Sequence, residues 1–175
     1  MLKLLLDTKD LGLYQESMAE KAVEYYKKEW GVLFQKKKIS SHLLRIIKMT
    51  HTFAILDLEG VRLQRFLLAY PAQYCQYFSC IPENTISIYV DFIDIDNQLW
   101  AEFLKNMERC PFRNVFRLGL PGTDSFDFFE KESFKAVGRI RMSARPLPFD
   151  ENLREKSDLV VTKKILNLFK YGGGK

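Results

Sequence analysis

Arg113, Arg117, Arg139, Arg141 and Arg145 are the side chains whose type and spacing could do chemistry in this sequence. A guanidinium stays charged at any physiological pH and holds phosphate or carboxylate through two parallel hydrogen bonds. In the stretch KAVGRIRMSAR, Lys135 to Arg145, alternation puts Lys135, Val137, Arg139, Arg141, Ser143 and Arg145 on one side. Ala136, Gly138, Ile140, Met142 and Ala144 fall on the other. Side chains on one strand face stand about 6.6 Å apart, close to the spacing of phosphates along a nucleic-acid strand. Arg113 and Arg117 belong to a preceding strand that antiparallel pairing would lay alongside. The five arginines are therefore the candidate ligand-binding set, for nucleic acid or another anionic ligand, with nearby Tyr and Phe available for stacking. The opposing reading is a solvated strand face whose arginines pair with Asp127, Glu130 or Glu132 on neighbouring strands.

Asp91, Asp94 and Asp96 form the second constellation. Carboxylates at the end of a strand can hold a divalent cation through oxygen ligands. No Gly-rich phosphate loop precedes them, and Asp94 or Asp96 sits where a helix beginning near Asn97 needs an N-cap. Capping is the favoured role, and a metal-dependent enzyme built on these three is kept as an alternative. Cys75 and Cys80 have no second pair of ligands to complete a zinc site, and Cys110 stands alone. His42 and His51 lie beside apolar residues, and neither sits near an obvious Cys or Ser nucleophile in sequence. The terminal GGGK has no helix after it and cannot act as a phosphate loop. The residues thus name no catalytic group, no metal and no cofactor.

The totals fit this reading. In 175 residues, 47% are hydrophobic and 14% aromatic, enough for a buried core, and the net charge of +5 is a mild basic excess. Three cysteines make no disulfide framework. No signal peptide is visible, and no apolar run approaches the ~18 residues of a bilayer span. The expectation is a cytoplasmic protein without a transmembrane segment.

The elements that must position these residues follow from periodicity. Residues 10–30 read as a helix, with Leu11, Tyr14, Met18, Ala22, Tyr25 and Tyr26 at three- and four-residue spacing and Gly31 as the stop. Ser40 to Ile47 fits a capped helix or a long strand. Thr52 to Tyr70 reads as a hairpin around Glu59-Gly60, and TISIYVDFID as a strand. A helix with Leu99, Trp100, Phe103, Leu104 and Met107 on one side ends at Cys110-Pro111. Asn114 to Leu120 and Ser125 to Phe129 read as two strands around Pro121-Gly122, 134–145 as another strand, and a final helix runs from Glu151 or Asp158 to Phe169.

The pattern predicts an α+β fold: a curved antiparallel sheet or half-open barrel, with an N-terminal, a central and a C-terminal helix packed on one face or end. Residues 1–171 form a single domain and 172–175 a flexible Gly-rich tail. The function expected is a non-catalytic binding or adaptor protein, a subunit of a larger assembly with a protein partner, contacting an anionic ligand through the basic strand. A small-ligand or nucleotide sensor with a pocket between sheet and helices is the other alternative.

Overall fold

The computed structural model describes residues 1–5, 8–31, 33–74, 87–94, 96–140 and 159–166. Arg141, Arg145, Cys75, Cys80 and the tail at 172–175 lie outside the described residues. The chain runs β1 (Leu2–Leu5), α1 (Thr8–Leu13), α2 (Gln15–Trp30), α3 (Lys36–Ile47), β2 (Phe53–Glu59) and β3 (Arg62–Pro71). A 3₁₀ turn at Ala72–Tyr74 follows. Then come β4 (Ser87–Ile93), α4 (Asn97–Met107), β5 (Asn114–Gly119), α5 (Asp124–Lys131), β6 (Lys135–Ile140) and β7 (Leu159–Ile165). The expected α+β fold with an open sheet stands: seven strands lie in the order β1-β2-β3-β4-β5-β7-β6.

The sheet is buried on both faces, and strand alternation explains how. Ala54, Leu56, Leu58, Phe66, Leu68, Tyr70, Tyr89, Phe116 and Leu118 point to the core under α1, α2 and α3. Their chain neighbours Phe53, Ile55, Leu67, Ala69, Ile88, Val90 and Val115 point to a second core with Leu99, Trp100, Phe103, Met107 and Phe129 from α4 and α5. Strands covered on two sides read as continuous apolar runs, as FAIL and FLLAY do here. The helices therefore cover both faces, not the one face or end expected. Among the described residues no helix is long and apolar enough to cross a membrane.

The structure differs from expectation in several places: β1 is an added strand, and residues 10–30 are divided between α1 and α2 at Tyr14. Ser125 to Phe129 is helical: Thr123 Oγ1 accepts from the Phe126 N–H, and Asp124 and Asp127 sit in the first turn, where the helix dipole favours negative charge. Leu159–Ile165 is a strand, not the middle of a C-terminal helix; its β-branched Val160, Val161 and Thr162 suit a pleated surface between two partners. Among the described residues the ladders are antiparallel except one, because β4 and β5 run parallel with α4 as the crossover. The β2–β3 hairpin is as predicted, with Gly60 at φ 61° in a two-residue turn.

Candidate functional site

The parallel pair β4/β5 does not stay paired. Its register runs from Ser87↔Asn114 to Tyr89↔Phe116 and stops. Beyond it β4 follows β3 as far as Ile93↔Leu67, while β5 follows β7 as far as Gly119↔Val160. A bulge accompanies the separation: Ala69 faces Val90 and Leu68 faces Phe92, leaving Asp91 as the extra residue. Bulges bend a strand and increase its twist, and they occur beside active sites. The result is a crevice at the carboxyl ends of two parallel strands, the position where open α/β sheets bind ligands.

Each strand feeds a helix at this end. After β4, Asp96 Oδ1 accepts from the N–H groups of Gln98 (2.8 Å) and Leu99 (3.0 Å), which starts α4. Its other oxygen is paired with Arg65, which also meets Asp57 Oδ2 at 2.6 Å. Gly119 ends β5, and an added Cβ there would sit 2.8 Å from the Phe126 ring, so the missing side chain lets α5 pack closely over the strand end. The Ser125 N–H at the start of α5 is accepted by buried Glu29 of α2 at 3.0 Å.

A cavity of ≈ 270 Å³ lies beside the β4 end, lined by Lys21, Glu24, Tyr25, Lys28 and Glu29 of α2, by Gln64 and Arg65 of β3, and by Asp94. Asp94 accepts from the Phe66 N–H at 3.3 Å. Burial pushes its carboxyl pKa above the ordinary value, against the lowering effects of that N–H, Lys21 and Arg65. Behind Tyr25 lies Arg117: its Nη2 donates to the Tyr25 Oη at 2.9 Å, its Nε to the Leu118 carbonyl at 3.3 Å, and its plane lies 4.0 Å from the Phe129 ring centroid. Arg117 Nη1 is buried with no hydrogen-bond partner among the described residues.

A second polar cluster sits under α3. His42 Nε2 lies 2.8 Å from Asp91 Oδ2, Arg45 Nη2 is 3.2 Å from His42 Nδ1, and the Tyr70 hydroxyl donates to Asp91 Oδ2 at 3.5 Å. Since an arginine N–H can only donate, Nδ1 is the acceptor and Nε2 carries the proton given to Asp91.

These positions redistribute the sequence candidates. Asp91, Asp94 and Asp96 each face different partners and do not converge; Asp96 is the helix cap, so the metal-enzyme alternative is set aside. Among the described residues no group of three or more His, Cys, Asp or Glu could hold a metal ion. Of the arginines, Arg113 and Arg139 are exposed while Arg117 is 3% exposed. β7 lies between β5 and β6, so Arg117 and Arg139 are not on adjacent strands. Glu132, one of the acids offered as an arginine partner, instead accepts from Trp100 Nε1 (2.7 Å) and Lys164 Nζ (3.3 Å). Sequence reasoning missed Tyr25 and Glu29, read only as helix positions; no local signal marks them, because their partners come from β5 and α5.

No protein-family model and no curated protein sequence matches the chain. Solved structures do. A ribosomal-protein-alanine N-acetyltransferase from Brucella melitensis superposes with a TM-score of 0.57 at 13% identity, covering 95% of this chain and 99% of that one. An acetyltransferase of the GNAT family from Bacillus cereus gives 0.56 at 12% identity, over 94% and 97% of the two chains. Arabidopsis thaliana NAA60 in complex with acetyl-CoA gives 0.52 at 13% identity, over 95% and 99%. The chain has the fold of the GNAT acetyltransferases. That finding overturns the expectation of a non-catalytic binding or adaptor protein, and with it the sensor alternative: the structures just described are of transferases.

Proposed function

We propose that this protein is an acyltransferase that moves an acyl group from a thioester to an amine, in the crevice between the ends of β4 and β5. The observation that carries the reading is the parted parallel pair with a half-buried carboxylate of raised pKa, Asp94, at its mouth. An acyl acceptor amine arrives as an ammonium and must lose a proton to become a nucleophile. A carboxylate whose pKa is raised by burial is a better proton acceptor than an ordinary one. In the step proposed, Asp94 takes one proton from the ammonium, and the free amine nitrogen attacks the thioester carbonyl carbon. The C–S bond breaks, and the nitrogen's second proton passes to the departing thiolate, relayed by the Tyr25 hydroxyl that Arg117 fixes in the same wall: Tyr25 gives its proton to sulfur and takes the one leaving nitrogen.

The cosubstrate named for the Arabidopsis neighbour, acetyl-CoA, fits this chain in one part and not in another. From Val90 onward the β4 edge facing β5 is no longer engaged by β5, so its backbone groups suit the two amides of a pantetheine arm lying as an added strand. The diphosphate finds no such place, because the α4 N–H groups that would receive it already bind Asp96.

The test is amine-dependent release of free thiol, with acetyl-CoA and acetyl-pantetheine offered as donors against a panel of primary amines. Asp94→Asn should lower the rate roughly 10²- to 10⁴-fold, the usual contribution of a general base. Absence of amine-dependent release from both donors, or an Asp94→Asn variant as fast as the parent, would refute the assignment. Arg113 and Arg139 are kept as proposed contacts for an anionic partner because both are exposed. Steep salt dependence of oligonucleotide binding, lost on their replacement by Ala, is the check on that point.

A further inference from the structure

A diphosphate is held at a helix N-terminus when backbone N–H groups there are free to point at it and the dipole is unopposed. Two helices present their N-termini at the carboxyl ends of the parted strands, and in each two of the first N–H groups already donate to side chains of this chain. At α4, Asp96 accepts from Gln98 and Leu99, and Asp94 lies two residues before it. At α5, Thr123 Oγ1 accepts from Phe126 and the Glu29 carboxylate from Ser125. Three carboxylates thus stand where a diphosphate would bring further negative charge. Among the described cations, Arg65 is engaged by Asp57 and Asp96 and Lys21 by Glu24, while Lys28 lines the neighbouring cavity on α2, away from the capped α4 N–H groups.

We infer that this chain recognises its thioester donor by the pantetheine arm and not by a nucleotide diphosphate, with Asp96 as the residue that excludes the diphosphate. The inference rests on the acyl-transfer reading above and narrows its donor to pantetheine thioesters whose recognition does not need the nucleotide. Asp96 performs two tasks at once. Its Oδ1 caps α4, as any short polar residue there would do, and its charge repels a second anion from the same N–H groups. The second task separates it from Ser, which caps a helix about as well and carries no charge.

Calorimetric binding of two probes, CoA and pantetheine, to the full chain tests this without turnover. The expected result is affinities for the two within about tenfold of each other, that is, less than about 1.4 kcal/mol from the whole nucleotide. In Asp96→Ser, which keeps a capping oxygen, CoA binding should tighten by about tenfold while pantetheine binding is unchanged. CoA binding on the order of 100-fold tighter than pantetheine in the parent overturns the inference. So does failure of pantetheine to bind, or an Asp96→Ser variant whose CoA affinity does not move. Binding in the expected ratio without thiol release in the transfer assay would instead remove the acyl-transfer reading and leave the donor recognition standing.

Discussion

After β4 the chain enters α4 through Asp94 and Asp96; after β5 it enters α5 through Pro121, Gly122 and Thr123. Each turn follows a strand of the one parallel pair, and each helix begins on a side-chain oxygen that accepts a backbone N–H. They differ in what remains once the helix is capped. The β4 turn leaves a second carboxylate, Asp94, facing a cavity, where burial raises its pKa. At the β5 end, the buried charge comes from the strand itself: Arg117 donates to Tyr25 and packs on Phe129. In the proposed transfer the first end would supply the proton acceptor, whereas the other holds a cation that fixes Tyr25. The difference is between a carboxyl facing a cavity and a cation built into the core, although both residues were visible in the sequence.

Replacing Arg117 gives the largest stability effect this comparison predicts. Arg117→Met keeps volume and loses the bonds to Tyr25 and to the Leu118 carbonyl. Hydrogen bonds of charged groups are worth about 1.5–3 kcal/mol, partly offset here by release of the unpaired Nη1, so a loss on the order of 2 kcal/mol is expected in denaturant unfolding. An unchanged midpoint would mean that Arg117 does not hold the wall. A smaller effect is expected from the caps: Thr123→Ala and Asp96→Ala should each cost about 1 kcal/mol. A large inequality between the two would show that the turns are not equivalent as helix starts, with the Arg65 pair as the first place to look.

Much of the frame was legible. The β2–β3 hairpin announced itself through Gly60, and α4 through its apolar spacing and the Asp96 cap. The two misread elements show why local pattern has limits. In SFDFFEK the aromatic residues suggested a strand, yet Thr123 followed by Asp124 and Asp127 is a helix start, and that signal outweighs aromatic propensity once Phe129 has a core to enter. In LVVTKKI the β-branched run was the better guide than the helical spacing of later residues, because β7 lies between β5 and β6. The site was less legible for a different reason. Arg117 was expected beside the basic strand face through antiparallel pairing, but this sheet has no wet face at β5: every residue of that strand is buried. Burial on both sides depends on α2, α4 and α5 arriving together, which no short stretch records. The same holds for Asp94, whose carboxyl is raised by burial that distant elements create, with Lys21 of α2 and Arg65 of β3 acting against the rise.

The smallest predicted effect sharpens the comparison furthest, because its sign is unusual. Removing a structural acid destabilises a protein; removing Asp94 should not. The folded-state pKa of Asp94 lies above its ordinary value of 3.8, so the folded state holds this proton more tightly than the unfolded chain does. Its contribution to stability is therefore fully present below that ordinary value and is lost as the pH rises through the raised one. At neutral pH the ionised carboxylate is a net burden on the fold. Asp94→Asn, which cannot ionise, should unfold at the same temperature as the parent or a higher one at pH 7, and the advantage should shrink as the pH is lowered toward 3.8. Asp57 supplies the opposite control: Arg65 holds its pKa below 3.8, so its stabilising effect is present above that value and is lost only as the pH falls through the lowered one. Melting curves of the parent, Asp94→Asn and Asp57→Asn across this range should therefore diverge in opposite senses at pH 7. If Asp94→Asn is the less stable protein there, Asp94 is a structural acid like Asp57, and the distinction drawn between the two strand ends is lost.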